Sequence, residues 1–107
     1  MLVLTLTPGR TTDITHNETG LKSSITVMAA NGINHRFIIE TPDGITLSNS
    51  QPRFKAKPGE WFVLSHGDQS IQVTVFASCW HQLRVGFDDD DLNFIVMREN
   101  ANKRTPE

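Results

Sequence analysis

The sequence predicts an all-β protein, and three features support this class. Short runs rich in Val, Ile, Leu, Phe and Thr recur along the chain, and Gly, Pro, Asn or Asp separates them. No window keeps a helical period between caps. The length of 107 residues suits one domain, so we expect a single domain over residues 1–107 with a small barrel or sandwich architecture.

Alternating or compact apolar runs predict nine strands. In order, these are residues 2–7, 24–30, 35–41, 44–48, 53–57, 60–65, 70–77, 81–87 and 92–98. The polar tail at residues 101–107 has no apolar stripe, and we expect it to fray.

Composition narrows the functional classes. The net charge of −2 argues against a strongly cationic nucleic-acid coat protein, although one face can still be basic. The single cysteine, Cys79, excludes an intramolecular disulfide, which fits a reducing compartment. The N-terminus lacks the basic region of a signal peptide, and no apolar run reaches the roughly 20 residues of a membrane span. These features predict a soluble cytoplasmic protein without membrane association.

Short segments recur at a nearly constant spacing. The pairs are ITVMAA (25–30) with VTVFAS (73–78), Arg36 with Arg84, TPGR (7–10) with KPGE (57–60), and ITLSN (45–49) with FIVMR (94–98). Their order is the same in both parts of the chain. This predicts two pseudo-repeats, residues 1–50 and 51–100, each too small to be stable alone.

Several of these segments resemble motifs of the CsrA/RsmA family of post-transcriptional regulators. The chain opens with MLVLTLTPGR, where the family has a pattern like M-L-[IV]-L-T-R-[RK]-x-G-E. The segments VTVFASCWHQLRVGF and FIVMREN are similar to the family's central and fifth-strand motifs. The first half shows the same order more faintly, and FKAKPGEWFVL is similar to the family's first two strands. The resemblance covers nearly the whole chain, twice over.

This resemblance implies a fold and a function. Members of the family are homodimers of interleaved five-stranded chains that bind GGA-containing RNA loops at two symmetric sites. The chain would then be two fused CsrA-like five-stranded halves in an intertwined, pseudo-dimeric barrel or sandwich, with the family's C-terminal helices lost. The expected function is recognition of GGA-type RNA in a message leader or small RNA, altering translation or stability. One chain would act as a pseudo-dimer, without a cofactor.

The resemblance also places two RNA sites, each combining a first strand with a fifth strand. Site 1 would consist of Leu4, Thr5, Met97, Arg98 and Glu99. Site 2 would consist of Phe54, Lys55, Ala56 and Lys57 with Leu47, Ser48 and Asn49. Asn49 stands where site 1 has Arg98, which predicts that site 2 is the weaker one. Site 1 in turn has Leu6 and Thr7 where the family has two basic residues.

Each of these residues also has a simpler interpretation. Lys55 and Lys57 alternate with apolar residues, as on any half-exposed edge strand, where lysine also blocks aggregation. Arg36 and Arg84 are expected on a sheet face or interface rather than at a base. The two tryptophans, Trp61 and Trp80, are expected in the core or as its cover.

Enzymatic and metal functions find little support in the sequence. The histidines, His16, His35, His66 and His81, show no metal-ligand spacing. Cys79 and His81 would meet only if both side chains faced the same way, and a lone buried cysteine is the commoner case. The run Asp88–Asp91 is typical of a turn, because consecutive residues cannot form an oxygen cage around calcium. We therefore expect no catalytic residue and no metal ligand.

A protein-interaction module is the main alternative function. A CsrA-like chain with eroded RNA contacts could bind another protein or antagonise a regulator. The acidic run Asp88–Asp91 would repel RNA phosphates from its own face and could attract a basic protein surface.

Overall fold

Ten antiparallel β-strands in two sheets make up the fold, which confirms the predicted all-β class. The computed structural model describes residues 1–29, 35–49, 51–79, 82–89 and 92–98, and every regular element in these ranges is a strand. In chain order the strands are β1 (Leu2–Leu6), β2 (Thr11–His16), β3 (Lys22–Ala29), β4 (His35–Glu40), β5 (Thr46–Leu47), β6 (Arg53–Ala56), β7 (Trp61–His66), β8 (Gln69–Cys79), β9 (Gln82–Asp88) and β10 (Phe94–Arg98). The same ranges contain no helix that could span a membrane.

Each sheet takes strands from both halves of the chain. The first sheet has the order β1-β9-β8-β7-β5, and the second has the order β10-β2-β3-β4-β6. The two orders are equivalent. Each strand of the first sheet corresponds to the strand five numbers higher or lower, which gives β6-β4-β3-β2-β10, the second sheet from its other edge. Strands β1 and β5 of the first half therefore flank a meander of the second half, and strands β6 and β10 flank a meander of the first.

Two turns occupy equivalent places in this arrangement. The turn after β1 has Gly9 at φ 86°, and the turn after β6 has Gly59 at φ 95°. Glycine adopts this left-handed conformation without a steric cost. The Gly9 N–H donates to the Val27 carbonyl over 2.8 Å, and the Gly59 N–H donates to the Val75 carbonyl over 2.7 Å. Each turn is therefore fixed to the third strand of its own half.

A β-bulge interrupts the central ladder of each sheet at matching positions. The β3–β4 ladder shifts register at Met28, and the β8–β9 ladder shifts at Phe76. After each bulge the next ladder pair contains Arg36 or Arg84. A bulge turns the side chain of the extra residue out of the regular alternation between the two faces of the sheet. Both extra side chains are exposed, Met28 by 50% and Phe76 by 41%.

One cluster of buried side chains fills the space between the sheets, and all ten strands contribute to it. Inward and outward residues alternate along the strands, as expected for a sheet with one solvated face. Around β6, the half-buried Phe54 ring stacks on Phe37 at 5.6 Å and meets the edge of Phe62 at 5.2 Å. Because Phe62 lies on β7, this aromatic group joins the second sheet to the first.

The sequence prediction misses strand β2. Its residues, TTDITH, alternate strictly, with Thr12, Ile14 and His16 buried. Two of these three inward side chains are polar, so the usual apolar alternation is hidden. Hydrogen bonds explain why His16 is tolerated there, because its buried ring has partners on both nitrogens.

Other strand boundaries differ from the prediction at loops. The segment predicted as 44–48 contains only the two-residue strand β5, and the segment predicted as 92–98 begins at Phe94. Leu92 lies in the preceding loop with φ 55°. The frayed tail predicted for residues 101–107 lies outside the described residues.

The structure describes only the first two aspartates of the run that is predicted to form a turn. Asp88 ends β9, and the Asp89 carboxylate accepts a hydrogen bond from the Phe94 N–H over 2.7 Å. Asp90 and Asp91 lie outside the described residues. No group of three or more His, Cys, Asp or Glu side chains in the described ranges could hold a metal ion.

His16 ties the two sheets together. Its Nε2 lies 2.5 Å from Gln69 Oε1, at the start of β8, and its Nδ1 lies 2.8 Å from Thr19 Oγ1. The ring centroid lies 4.5 Å from that of His66 on β7 and 5.0 Å from that of Phe94 on β10. The contact joins β2 of one sheet to β7 and β8 of the other.

Gln69→Ala should destabilise the fold, because it leaves the buried imidazole Nε2 of His16 without its partner. An unsatisfied buried polar group costs about 1–3 kcal/mol, and we expect a loss of that size in the free energy of unfolding. Urea denaturation followed by circular dichroism measures it. The control Gln51→Ala changes an exposed side chain and should match the wild type. Equal stability of both variants would show that the cross-sheet hydrogen bond contributes nothing.

Candidate nucleic-acid interface

The two edges of the sandwich bring first and fifth strands together, but not as hydrogen-bonded pairs. β1 pairs with β9 in the first sheet, and β10 pairs with β2 in the second. The strands predicted to share site 1 are therefore edge strands of different sheets. They meet around a cavity of about 340 Å³ lined by Leu2 of β1 and by Phe94 and Val96 of β10.

The residues of site 1 lie around this edge. Leu4 is half-buried and packs against the core, and Thr5 lies opposite Arg84 in the β1–β9 ladder. Met97 is 44% exposed and pairs with Asp13, which places it on the second sheet. The Arg98 backbone pairs with Thr12 at the end of β10, and Glu99 lies outside the described residues.

At the opposite edge, β6 is a basic strand. Arg53, Lys55 and Lys57 are exposed, whereas Phe54 is half-buried and Ala56 is buried. A strand alternates its side chains between two faces, so Arg53 and Lys55 project to the same side of β6, and Lys57 follows directly after the strand. This is the alternation of an edge strand whose outward positions are basic.

Arg36 adds a fourth cation to this side. It lies directly opposite Lys55 in the β4–β6 ladder and is itself exposed. We call Arg36, Arg53, Lys55 and Lys57 the basic face. Within the described ranges, the ion pair that forms on the second sheet joins Lys22 to Asp13, and none involves the basic face. The described cations of the basic face are therefore not held in ion pairs.

Two cavities adjoin β6. The first, about 370 Å³, is lined by Met28, Arg36, Arg53 and Lys55, with Phe54 at its wall. We call it the phosphate-side cavity, because three of its lining residues carry positive charge. Cationic side chains at an open surface are the usual contacts for an RNA backbone.

The second cavity, about 380 Å³, lies on the other side of Lys55 and Phe54. Its walls also include Asn49, Glu60 and Trp61. We call it the tryptophan cavity. Asn49 stands just after β5, and its Oδ1 accepts a hydrogen bond from the Gln51 N–H over 3.2 Å, which fixes the turn into β6.

The remaining residues of site 2 contribute differently. Leu47 is buried in the core, so only its backbone is at the edge. The Ser48 hydroxyl accepts a hydrogen bond from the Val63 N–H over 3.0 Å, which extends the pairing between β5 and β7. Phe54 is held between two other phenylalanine rings, and this limits the stacking on a base that the sequence suggested.

The sequence prediction for Trp61, which placed its side chain in the core or as a cover of the core, is wrong. The indole is 58% exposed at the start of β7, because the alternation in this strand turns Phe62 and Leu64 inward. Trp61 lies opposite Thr74, in the same register as Thr11 opposite Thr26 in the first half. The polar counterpart at position 11 was the available signal for an outward side chain. Trp80 lies outside the described residues.

Ladder registers show how the two edges differ in charge. β1 lies against β9 in the same register as β6 against β4, so that Val3 and Thr5 occupy the places of Arg53 and Lys55. Thr7 and Lys57 follow their strands directly. One edge thus has cations on and just after its first strand, and the other has none there. Arg84 has on the first edge the place that Arg36 has on the second. Both side chains are exposed, as expected for charges on a sheet face.

The histidines group differently from the scattered arrangement that the sequence suggested. His16 and His66 end equivalent strands and contact each other in the interior, as a structural pair. His35 is buried on β4, and His81 lies outside the described residues together with any approach to Cys79.

Comparisons with protein-family models, with curated proteins and with solved structures find no match for the chain.

Phe54→Ala should lower the free energy of unfolding by about 2–4 kcal/mol, because it removes a half-buried ring from the three-phenylalanine group. Chemical denaturation measures the change. Phe76→Ala is the matched control, because it deletes the same ring from an exposed bulge, and we expect a loss below about 1 kcal/mol. If the two variants lose the same amount, Phe54 is not part of the packing and is available as a contact residue.

Proposed function

We propose that the chain is an RNA-binding post-transcriptional regulator built from two fused CsrA/RsmA-like halves. The fold part of this proposal is supported by the strand order, in which β1 and β5 of one half flank three strands of the other. It is also supported by the matching bulges, glycine turns and ladder registers of the two halves. Interleaving of this kind is what the family resemblance predicts for a tandem fusion.

The observation that carries the RNA part is the basic face. Four exposed cations converge on the β4–β6 edge of a chain whose net charge is −2. Clustering of this kind gives one face a positive field that net charge conceals. Phosphate contacts supply essentially all of the non-specific and a large share of the specific affinity for nucleic acids, and cationic side chains make these contacts.

This distribution of charge changes the ranking of the two sites. The sequence favours site 1 because of Arg98, but the first strand of that edge has Val3, Thr5 and Thr7 at the relevant positions. Site 2 lacks the arginine and has the cationic strand. We therefore propose that RNA binds mainly at the edge formed by β5 and β6, with site 1 as the weaker edge.

The mechanism is occupancy rather than chemistry. RNA containing a GGA motif in an unpaired loop would lay its backbone on the basic face and present bases to the sheet edge. Bound to a message leader in the cytoplasm, one chain would compete with the translation machinery or with nucleases for the same segment. No cofactor takes part in this scheme.

A protein-interaction role is the second candidate, and an apolar group on the first sheet favours it. Met1 and Phe76 lie over Gly86 so closely that a Cβ there would clash with both side chains. Val3 pairs with Gly86 and is exposed as well, like the other two side chains. Exposed apolar groups of this kind often mark protein contacts.

Lys55→Ala/Lys57→Ala should weaken binding of a labelled GGA hairpin and flatten its salt dependence. Each phosphate contact to single-stranded RNA contributes about 0.7 to the slope of log K against log salt, so the slope should fall by about 1.4. Fluorescence anisotropy at several salt concentrations measures both quantities.

Lys22→Ala is the control for this experiment, because Lys22 lies on the same sheet but pairs with Asp13 at 3.9 Å. We expect it to keep the wild-type slope. Absence of any wild-type binding at low salt would exclude the RNA function in favour of the protein-interaction role. An unchanged slope in the double variant would instead exclude this site.

The stoichiometry of the same titration tests the asymmetry between the edges. We expect saturation at one RNA per chain and an unchanged affinity in Arg98→Ala, because that residue lies at the other edge. Isothermal titration calorimetry gives both numbers. Two equivalent RNAs per chain, or loss of binding in Arg98→Ala, would show that the β1–β10 edge is a full site.

A further inference from the structure

Trp61 is an exposed aromatic residue that shares a cavity with Lys55 of the basic face. The tryptophan cavity contains Lys55, which also lines the phosphate-side cavity, so the two cavities adjoin at this lysine. From this geometry we infer that Trp61 stacks on an unpaired purine of the bound RNA and makes the β5–β6 edge the stronger site. This inference rests on the RNA-binding function proposed above.

The two cavities differ in the charges that line them, and this difference suits one to a phosphate and the other to a base. Arg36, Arg53 and Lys55 line the first. The second contains the Glu60 carboxylate, whose Oε1 already accepts a hydrogen bond from the Lys57 N–H over 2.7 Å. A carboxylate repels a phosphate but accepts hydrogen bonds from base N–H groups. The tryptophan cavity therefore suits a base, while the adjoining cavity suits its phosphate.

The shape and chemistry of the tryptophan cavity fit a base. Its volume of about 380 Å³ lies in the range of small-ligand sites, which begins at about 300 Å³. An exposed indole offers a flat π-surface, on which bases of any sequence can stack. The Asn49 amide uses its Oδ1 for the Gln51 N–H, which leaves its Nδ2 to donate to a purine acceptor such as N7.

The first half lacks this arrangement. Thr11 takes the place of Trp61, and Thr5 takes the place of Lys55. Without a counterpart of Trp61 beside a cation, the described part of that edge cannot hold a base in the same way. Trp61 therefore accounts for one strong site in a chain with two similar edges.

Intrinsic fluorescence tests the inference directly, because the chain has only two tryptophans. We expect a GGA hairpin to quench the emission of the wild type and of Trp80→Phe, in parallel with binding measured by anisotropy. Trp61→Phe should show no such quenching. If quenching persists in Trp61→Phe, or is absent from Trp80→Phe while RNA binds, Trp61 does not contact the base.

Affinity measurements on substituted chains provide the second arm. Stacking on one aromatic residue changes affinity by about 5- to 150-fold, and we expect a loss in this range for Trp61→Ala and a smaller one for Trp61→Phe. The salt slope should stay at the wild-type value, since stacking neutralises no phosphate. Phe76→Ala, which removes an exposed ring that lines neither cavity, should bind like the wild type.

The outcomes separate this inference from the function on which it rests. Wild-type binding together with unchanged affinity in Trp61→Ala overturns the stacking role and leaves the RNA function intact. A reduced salt slope in Trp61→Ala also overturns it, because the substitution would then have disturbed the phosphate contacts. Absence of wild-type binding at low salt overturns both the function and the inference.

Discussion

Hydrogen bonding between strands from different halves of the chain is the constraint on which the rest of the structure depends. Each half supplies a three-stranded meander, β2–β4 or β7–β9, and two strands that join the other half's meander. A two-stranded hairpin is marginal alone, and three strands with an apolar face are about the minimum for independent stability. The exchanged strands widen each sheet from this minimum to five strands, and the two sheets enclose one core.

The exchange of strands between the halves also determines at which positions their sequences can differ. The buried positions of the two halves must fit one common core, and the turns and bulges that set strand register match closely. The outward positions of the edge strands carry no such constraint. It is here that Val3 and Thr5 on one edge correspond to Arg53 and Lys55 on the other. Differences in surface chemistry therefore accumulate at the edges, where a ligand would bind.

Much of the fold could be predicted from the sequence, because strands with alternating apolar residues carry a strong local signal. Strand β2 could not, since two of its inward residues, Thr12 and His16, are polar, and the partner that the His16 ring finds on Gln69 comes from a distant segment. The candidate site was harder still. The alternation of Lys55 and Lys57 was visible, but the approach of Arg36 from β4 and the exposure of Trp61 depend on pairing between distant segments. The His16–His66 contact likewise depends on how the sheets stack.

The pairing of β1 with β9 has a consequence for the order of folding. Leu2 lies opposite Phe87, so β1 can pair only after a segment far away in the sequence has reached it. The β2–β4 meander, by contrast, pairs strands that follow one another along the chain. Long-range pairing slows folding and leaves unpaired strands exposed to aggregation. The apolar residues of β1 therefore stay unpaired longer than those of the meander, and β1 is a segment through which partly folded chains can associate.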